Sequence, residues 1–275
     1  MKKISYSLII VLISIGISHA QTPAKSQWVY PDAKGKLVYK ILEQGDKIMD
    51  FSYAGYMGGG VSIPSVPVKV TLDPIAGDNS DAIQQAIDKV SQMEMVNGFR
   101  GAVLLKPGKY DCEKTLTINA SGVVLRGSGS GENGTIFNMT GKPHACVTVK
   151  GAVSSKTVGD ATTIADKYVP SGTNSFTLTN ATGFAVGDAI RITRHITDEW
   201  IKFMGMDQLV RDGKKQTWVT GDITTERVIS KIEKNKITVD VPLNDSYDAA
   251  YTGAAGVAVQ KIITSGELSQ IGIEN

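Results

Sequence analysis

The chain has 275 residues, with 29 Lys and Arg against 27 Asp and Glu and a formal net charge of +2. This near neutrality argues against a general nucleic-acid-binding protein, which would carry a clear basic excess. Glycine is frequent, with 29 residues, and aromatic residues make up only 7% of the chain. That composition is typical of many short strands joined by tight turns.

The first twenty residues predict a secretory signal peptide. Lys2 and Lys3 provide a positively charged start, residues 4–17 are mainly apolar, and residues 18–20 place small side chains at a cleavage site. The alternative, a membrane anchor, is disfavoured because the apolar stretch is shorter than the roughly 20 residues that span a bilayer. We therefore expect a secreted or periplasmic protein that has no membrane contact after cleavage.

Residues that carry common catalytic or metal chemistry are scarce. Cys112 and Cys146 are the only cysteines, and they either form a disulfide or remain two separate buried thiols. Beyond the leader only two histidines remain, His144 and His195, so a three-histidine zinc site is impossible there. The sequence also lacks the HExxH, CxxC and GxSxG motifs.

The region after the leader begins with a predicted hairpin. Residues 28–30 and 37–39 are short β-prone runs, and residues 31–35 between them read Pro-Asp-Ala-Lys-Gly, which is a strong turn signal. The following segment, 50–64, contains three consecutive glycines and several aromatic residues. It lacks the phosphate-loop pattern and is followed by prolines instead of a helix, so we expect a packed loop.

Residues 78–93 give the clearest helix prediction. Three N-cap candidates begin it, Asp78, Asn79 and Ser80. Four apolar side chains follow at helical spacing on one face, Ile83, Ala86, Ile87 and Val90. Because the opposite face is polar, we expect an amphipathic helix that covers an apolar core.

After this helix the pattern changes to short apolar runs separated by Gly, Pro, Asn and Ser. The runs are residues 103–105, 116–118, 123–125, 136–137 and 147–149. Their recurrence every roughly 20–25 residues predicts a β-solenoid, in which stacked coils share one apolar core. An uncovered end of such a stack invites aggregation, so the preceding helix is expected to cap it.

The regular spacing of the apolar runs is lost between residues 155 and 262. Plausible strands occur there at 175–179, 189–193, 227–232, 237–241 and 257–263. A hairpin turn is expected near Lys234 and Asn235. We interpret this region as a small β-barrel-like insertion, after which residues 263–275 return to the solenoid.

Several of these stretches resemble the secreted bacterial pectate-lyase superfamily. They are residues 50–64, the helix segment 77–88, the run Gly101–Tyr110, and residues 116–118 and 124–129. The resemblance implies an all-β fold, a right-handed parallel β-helix whose first coils carry a capping helix. Family members usually have many more coils, so the chain is expected to represent an N-terminal fragment of such a protein.

The resulting domain organisation has five parts. They are a signal peptide at 1–20, a hairpin and Gly-rich loop at 21–64, a capping helix and first coils at 65–154, a β-rich insertion at 155–262, and a truncated return strand at 263–275.

The resemblance also implies a function in carbohydrate metabolism. The expected activity is a polysaccharide lyase that performs β-elimination on acidic glycans, with Ca²⁺ as a cofactor that some such enzymes use. The alternatives are a non-catalytic glycan-binding protein and a glycoside hydrolase on the same fold. The expected partner is an acidic polysaccharide, and the catalytic residues are not identifiable.

One polar cluster within the insertion combines acids, a base and an aromatic side chain that suits a sugar ring. Its members are the candidate substrate-binding residues Arg194, His195, Glu199, Trp200 and Asp207. The alternative interpretation is an exposed loop of the insertion that is anchored by one tryptophan.

Overall fold

A computed structural model describes residues 26–216 and 220–275, and the predicted signal peptide lies outside these residues. Most of the regular structure is strand. Before and including the long helix, the elements are β1 (Val29–Pro31), β2 (Leu37–Tyr39), 3-10 turns at Phe51–Tyr53 and Tyr56–Gly58, β3 (Val68–Leu72) and α1 (Ser80–Ser91). None of the described helices is long and apolar enough to cross a lipid bilayer.

The middle of the chain forms β4 (Gly101–Leu105), β5 (Gly108–Cys112), β6 (Leu116–Ile118), β7 (Val123–Arg126), β8 (Thr135–Met139) and β9 (Val147–Val149). The next elements are β10 (Ser154–Thr163), β11 (Tyr168–Val169), β12 (Ser175–Thr177), β13 (Ala189–His195), α2 (Asp198–Phe203), β14 (Val210–Arg211) and β15 (Lys214–Lys215). The last strands are β16 (Asp222–Glu233), β17 (Lys236–Val239), β18 (Tyr247–Asp248), β19 (Val257–Ser265) and β20 (Gly272–Glu274).

The predicted N-terminal hairpin is confirmed. Strands β1 and β2 pair antiparallel, with Val29 opposite Tyr39. Asp32 fixes the turn, because its carboxylate accepts hydrogen bonds from the backbone N–H groups of Lys34 and Lys36. This use of an aspartate side chain is common in tight turns. The Gly-rich loop, which was expected to be packed, is mostly exposed, with Phe51 64% and Met57 68% exposed. Tyr56 is half-buried and anchors the loop, since its hydroxyl donates to Gln270 over 2.8 Å.

Helix α1 has the buried face that its sequence predicts. Ile83, Ala86, Ile87 and Val90 are all buried. Of the three N-cap candidates, Asp78 accepts a hydrogen bond from the backbone N–H of Ser80, the first residue of the helix, over 3.0 Å. Asn79 occupies the N-cap position without capping the helix, and its side chain bonds backbone groups of residues 75, 77 and 111 instead. This crosslink fastens the start of the helix to the end of β5.

The strands that follow α1 form two successive turns of a parallel stack. Strands β4, β5 and β6 make the first turn, and each pairs in parallel with its equivalent in the second turn, β7, β8 or β9. Strands β3 and β20 extend the first of the three sheets, whose order is β20-β7-β4-β3. One apolar core joins the buried face of α1 to the inward side chains of the first turn and of β7. Phe137 and Val147 of the second turn are only partly buried against it.

The sheet topology corrects the expected fold class. The chain is mostly β, as predicted, but parallel pairing is confined to β3–β9 and β20, and most of the remaining strands pair antiparallel. A right-handed parallel β-helix is therefore not established by the pairing. Strands β3 and β5 were not predicted. In β5, the short run Gly108–Cys112 has few apolar side chains and alternates buried with less buried residues.

Residues 154–265 form a curled antiparallel sheet. Its strand order is β10-β19-β13-β16-β17-β12. A bridge between Ile164 and Leu178 connects the two ends of this order, so the sheet edges meet. Inward side chains such as Ile190, Ile192 and Val259 fill the interior. The hairpin predicted near Lys234 is confirmed, since Glu233 pairs with Lys236 and Lys234 has a positive φ.

Both cysteines are free thiols in the structure, so the disulfide between Cys112 and Cys146 is not formed there. Cys112 ends β5 and is fully buried in the core beneath α1. Cys146 is half-buried in the turn before β9. Burial raises the pKa of Cys112 to about 11, and burial also raises the pKa of Cys146.

The buried face of α1 gives a first prediction. Replacing Ile87, which has no exposed surface, by Ala is expected to lower the free energy of unfolding by about 2–5 kcal/mol, because it removes buried methyl groups and leaves a cavity. Gln85→Ala, on the exposed face of the same helix, should change it by less than about 0.5 kcal/mol. Urea unfolding measures both, and equal effects would contradict a capping role for α1.

The buried thiols give a second prediction. At pH 8 the folded protein should react slowly with iodoacetamide at Cys112, because only the thiolate is nucleophilic and burial keeps this group protonated. Unfolding in urea should restore the ordinary rate. Mass spectrometry of the alkylated peptides measures the two rates. Fast modification of Cys112 in the folded protein would contradict its burial.

Candidate functional site

A cleft of about 320 Å³ lies beside α2, where the end of β13 meets the β11–β18 pair. We call it the Arg194 cleft and define it by the residues that line it, Gln44, Tyr168, Arg194, Trp200, Phe203, Met204, Asp245, Ser246, Asp248, Tyr251 and Thr252. The lining comes from four separate stretches of the chain. It combines aromatic rings with carboxylates, hydroxyls and one amide.

The aromatic wall depends on how α2 begins. The Thr197 hydroxyl oxygen accepts a hydrogen bond from the Trp200 N–H over 3.1 Å and donates to the Tyr251 carbonyl over 2.8 Å. This single side chain therefore caps α2 and ties it to the loop after β18. As a result, the Phe203 and Tyr251 rings stack with centroids 4.4 Å apart. Phe203 remains 62% exposed, so its ring is available to a ligand.

The buried side chain of Arg194 contacts both Asp245 and Trp200 and so connects two sides of the cleft. Its side chain is 3% exposed, and its Nε and Nη2 donate to Asp245 Oδ2 over 3.2 and 2.9 Å. The guanidinium also lies 4.5 Å from the centre of the Trp200 ring. Its Nη1 is buried and has no hydrogen-bond partner among the described residues. Because a buried charge needs partners, the Asp245 carboxylate and the Trp200 ring compensate the guanidinium, and Arg194 in turn fixes both in place.

The charge of the lining is not positive. Arg194 is its one cation, and Asp245 and Asp248 are both carboxylates. The Arg194 charge is already directed at Asp245 and covered by Trp200. The cleft therefore offers acceptors for hydroxyl groups more readily than a free cation for an anionic group.

The structure brings together only two of the five predicted site residues. Arg194 and Trp200 line the cleft. His195, Glu199 and Asp207 do not. Alternation along β13 turns His195 away from Arg194, and its ring bonds Asp222 over 2.8 Å on the exposed surface.

Glu199 lies on the exposed face of α2, and Asp207 accepts a hydrogen bond from Gln208 beyond the helix.

The remaining lining residues were not predicted. Phe203 follows Trp200 by three positions on α2, so helical spacing could have placed both rings on one face. Asp245, Tyr251 and Gln44 are distant in sequence, and no local pattern connects them to Arg194. Their contribution is visible only once the curled sheet is formed.

Two larger clefts, each of about 650 Å³, are less suited to a polar ligand. One lies beside β3, and its wall is mostly apolar, with Val66, Met93 and Phe99. The other follows the bulge of β10, and its hydroxyls bond one another, as Thr162 and Thr179 do over 3.0 Å. Neither presents two stacked rings beside carboxylates.

Within residues 26–216 and 220–275, no group of three or more His, Cys, Asp or Glu side chains is arranged to hold a metal ion. The acidic residues near α1 are engaged separately. Asp73 pairs with Lys106, and Asp81 pairs with Lys114. The expected use of Ca²⁺ stays a prediction.

No family model matches the chain, and no curated protein matches it. Among solved structures, three tailspike proteins are similar over part of the chain. The Gp54 tailspike of Acinetobacter baumannii bacteriophage AP22, in complex with a capsular saccharide, is 11% identical over 72% of this chain and 27% of its own, with a TM-score of 0.35. The tailspike gp61 of Pseudomonas phage phi297 is 12% identical over 71% and 26%, with a TM-score of 0.36.

The tailspike gp49 of Pseudomonas phage LKA1 is 14% identical over 71% of this chain and 27% of its own, with a TM-score of 0.27. The chain thus spans about a quarter of the length of these proteins. With every TM-score below 0.5, these likenesses establish neither the fold nor the function of this chain. The resemblance to the pectate-lyase superfamily stays a prediction.

The Arg194–Asp245 pair gives a third prediction. Asp245→Ala is expected to destabilise the protein by about 3–5 kcal/mol, because it leaves the Arg194 charge buried without its carboxylate. Glu199→Ala removes a nearby carboxylate that is exposed and should change the free energy of unfolding by less than about 0.5 kcal/mol. Chemical denaturation monitored by tryptophan fluorescence measures both. Similar values for the two variants would show that the pair is not structural.

Proposed function

We propose that the protein binds a polysaccharide and that the Arg194 cleft holds its sugar units. The observation that carries the proposal is the stacked pair Phe203 and Tyr251, which stands beside Asp245 and Asp248. An aromatic ring can cover the apolar face of a pyranose, while carboxylates accept hydrogen bonds from its hydroxyls. Clefts that mix apolar walls with a few placed polar groups are typical of small-molecule sites.

The lining favours uncharged sugar units over the acidic glycan that the sequence resemblance implies. The lining contains two carboxylates and one guanidinium, and that guanidinium is already paired with Asp245. An anionic sugar would meet like charges in a partly desolvated site, which is unfavourable. The binding experiment described below therefore compares acidic with neutral oligosaccharides.

A polysaccharide lyase is the second candidate, and the parallel stack of β4–β9 favours it. That stack has the strand pairing that the pectate-lyase resemblance implies, so we extend the proposal to a short parallel β-helix with a barrel-like insertion in an exported protein. β-Elimination requires a cation that neutralises the uronate carboxylate and a base that removes the adjacent proton. Arg194 is engaged elsewhere, so binding is the function that the cleft supports best.

The exposed ring of Phe203 gives a fourth prediction. Oligosaccharide binding should be measured by titration calorimetry with neutral and uronic-acid oligomers, using Phe203→Ala. Loss of the Phe203 ring should weaken binding of the best neutral ligand about twofold to tenfold, because aromatic contacts of this kind contribute about 0.5–1.5 kcal/mol.

Phe51→Ala is the matched control, since Phe51 is 64% exposed and lies outside the cleft. An equal loss in both variants would contradict the proposed site. Preference for uronic-acid oligomers would overturn the uncharged ligand, and release of an unsaturated, ultraviolet-absorbing product would select the lyase.

A further inference from the structure

A short turn from the N-terminal part of the chain reaches the Arg194 cleft. Residues 42–46 form this turn, in which the Leu42 N–H donates to the Asp46 carbonyl over 2.8 Å and the Gly45 N–H donates to the Leu42 carbonyl over 2.9 Å. Gly45 has a φ of +96°, a conformation that favours glycine. Gln44 sits at the tip.

The turn is fastened to the curled sheet by hydrogen bonds on both sides of the Asp46 carboxylate. One oxygen accepts from the Tyr168 hydroxyl over 2.6 Å, and the other accepts from the Ser171 N–H over 2.8 Å. The next residue, Lys47, donates its N–H to the Ser171 carbonyl over 3.2 Å. Asp46 and Lys47 thus make three hydrogen bonds to the curled sheet, which fix the turn against it.

Packing makes the contact tight as well. A Cβ atom added at Gly45 would lie 2.8 Å from Pro170, and one added at Gly172 would lie 2.6 Å from the Lys47 carbonyl oxygen. These distances are shorter than real Cβ contacts allow. The glycines therefore permit the two backbones to approach, and the tip of the turn is held against the cleft.

Gln44 lines the cleft from this tip, beside Tyr168. Gln44 is exposed, and no described residue hydrogen-bonds its side-chain amide, although an amide offers both donors and an acceptor. The neighbouring Glu43 is also exposed but does not line the cleft. The amide of Gln44, and not the carboxylate of Glu43, is therefore available to a ligand in the cleft.

We propose that Gln44 is a specificity-determining residue, whose amide hydrogen-bonds two neighbouring hydroxyls of an uncharged sugar unit stacked on Phe203. Asp46 acts as a positioning residue, because it holds the turn that carries Gln44. This inference rests on the proposed function. It assigns part of the recognition to a segment that lies far from the curled sheet in sequence.

The test compares Gln44→Ala with Glu43→Ala in the full chain, by titration calorimetry with the neutral oligosaccharide that the unaltered protein binds best. We expect Gln44→Ala to weaken binding about fivefold to tenfold, as loss of one or two hydrogen bonds does. Glu43→Ala should leave the affinity unchanged. A ligand in which the hydroxyls are replaced by hydrogen should lose its sensitivity to the Gln44 substitution.

Asp46→Ala tests the positioning role through a double-mutant cycle. If Asp46 acts through Gln44, adding Gln44→Ala to Asp46→Ala should cause little further loss of affinity. Additive losses would overturn that role. Unfolding curves for each variant separate loss of contact from loss of fold.

The outcomes distinguish the two proposals. Affinity lost in Phe203→Ala but kept in Gln44→Ala would overturn the role of Gln44 and leave the glycan site standing. Absence of binding to any neutral or acidic oligosaccharide by the unaltered protein would overturn the proposed function and this inference together.

Discussion

The Arg194 cleft is organised around one buried guanidinium, whose charge requires partners. Arg194 projects from β13 into the region between the curled sheet and α2, where it is almost completely removed from solvent. Its charge requires the Asp245 carboxylate on one side, and the Trp200 ring covers it on the other. Because β13, the segment before β18 and α2 all meet at this side chain, the positions of the aromatic wall and the carboxylates follow from one electrostatic requirement.

The parallel stack and the curled sheet are each stabilised by a hydrophobic core of their own. The stack depends on an apolar interior that α1 closes at one end, where Ile83, Ile87 and Val90 share a core with β4–β7. The curled sheet closes on itself through the bridge between Ile164 and Leu178 and has its own interior. Each part therefore has a hydrophobic core. The cleft is formed by strand ends and loops of the second part, by the short helix α2 and by the turn that carries Gln44.

Much of the local structure was predictable, because it depends on short-range patterns. The apolar spacing of Ile83, Ala86, Ile87 and Val90 identified α1 and its buried face, and the Pro-Asp-Ala-Lys-Gly turn identified the first hairpin. The short β-prone runs at 103–149 were found as strands. The antiparallel pairing of the two hairpins was predicted, but that of the other strands was not, because period and strand length do not specify the direction of pairing.

The site was only partly predictable for a related reason. Arg194 and Trp200 were found because they occur in one polar cluster, yet His195 and Glu199 of the same cluster point away from the cleft. Strand and helix geometry separate residues that are adjacent in sequence. Asp245, Tyr251 and Gln44 join the site through tertiary packing, which no local pattern records.

The way the chain enters and leaves the curled sheet has a structural consequence. Strands β10 and β19 carry the chain out of the stack and back, and they pair with each other so that Ser154 lies opposite Ser265. Gly151 and Gly266 pass so closely at this crossing that neither has room for a side chain. The two ends of the curled sheet are therefore neighbours, and β20 pairs directly beside β7 in the stack. Because the chain leaves and rejoins the stack at one place, residues 154–265 enclose their own core without separating β20 from β7.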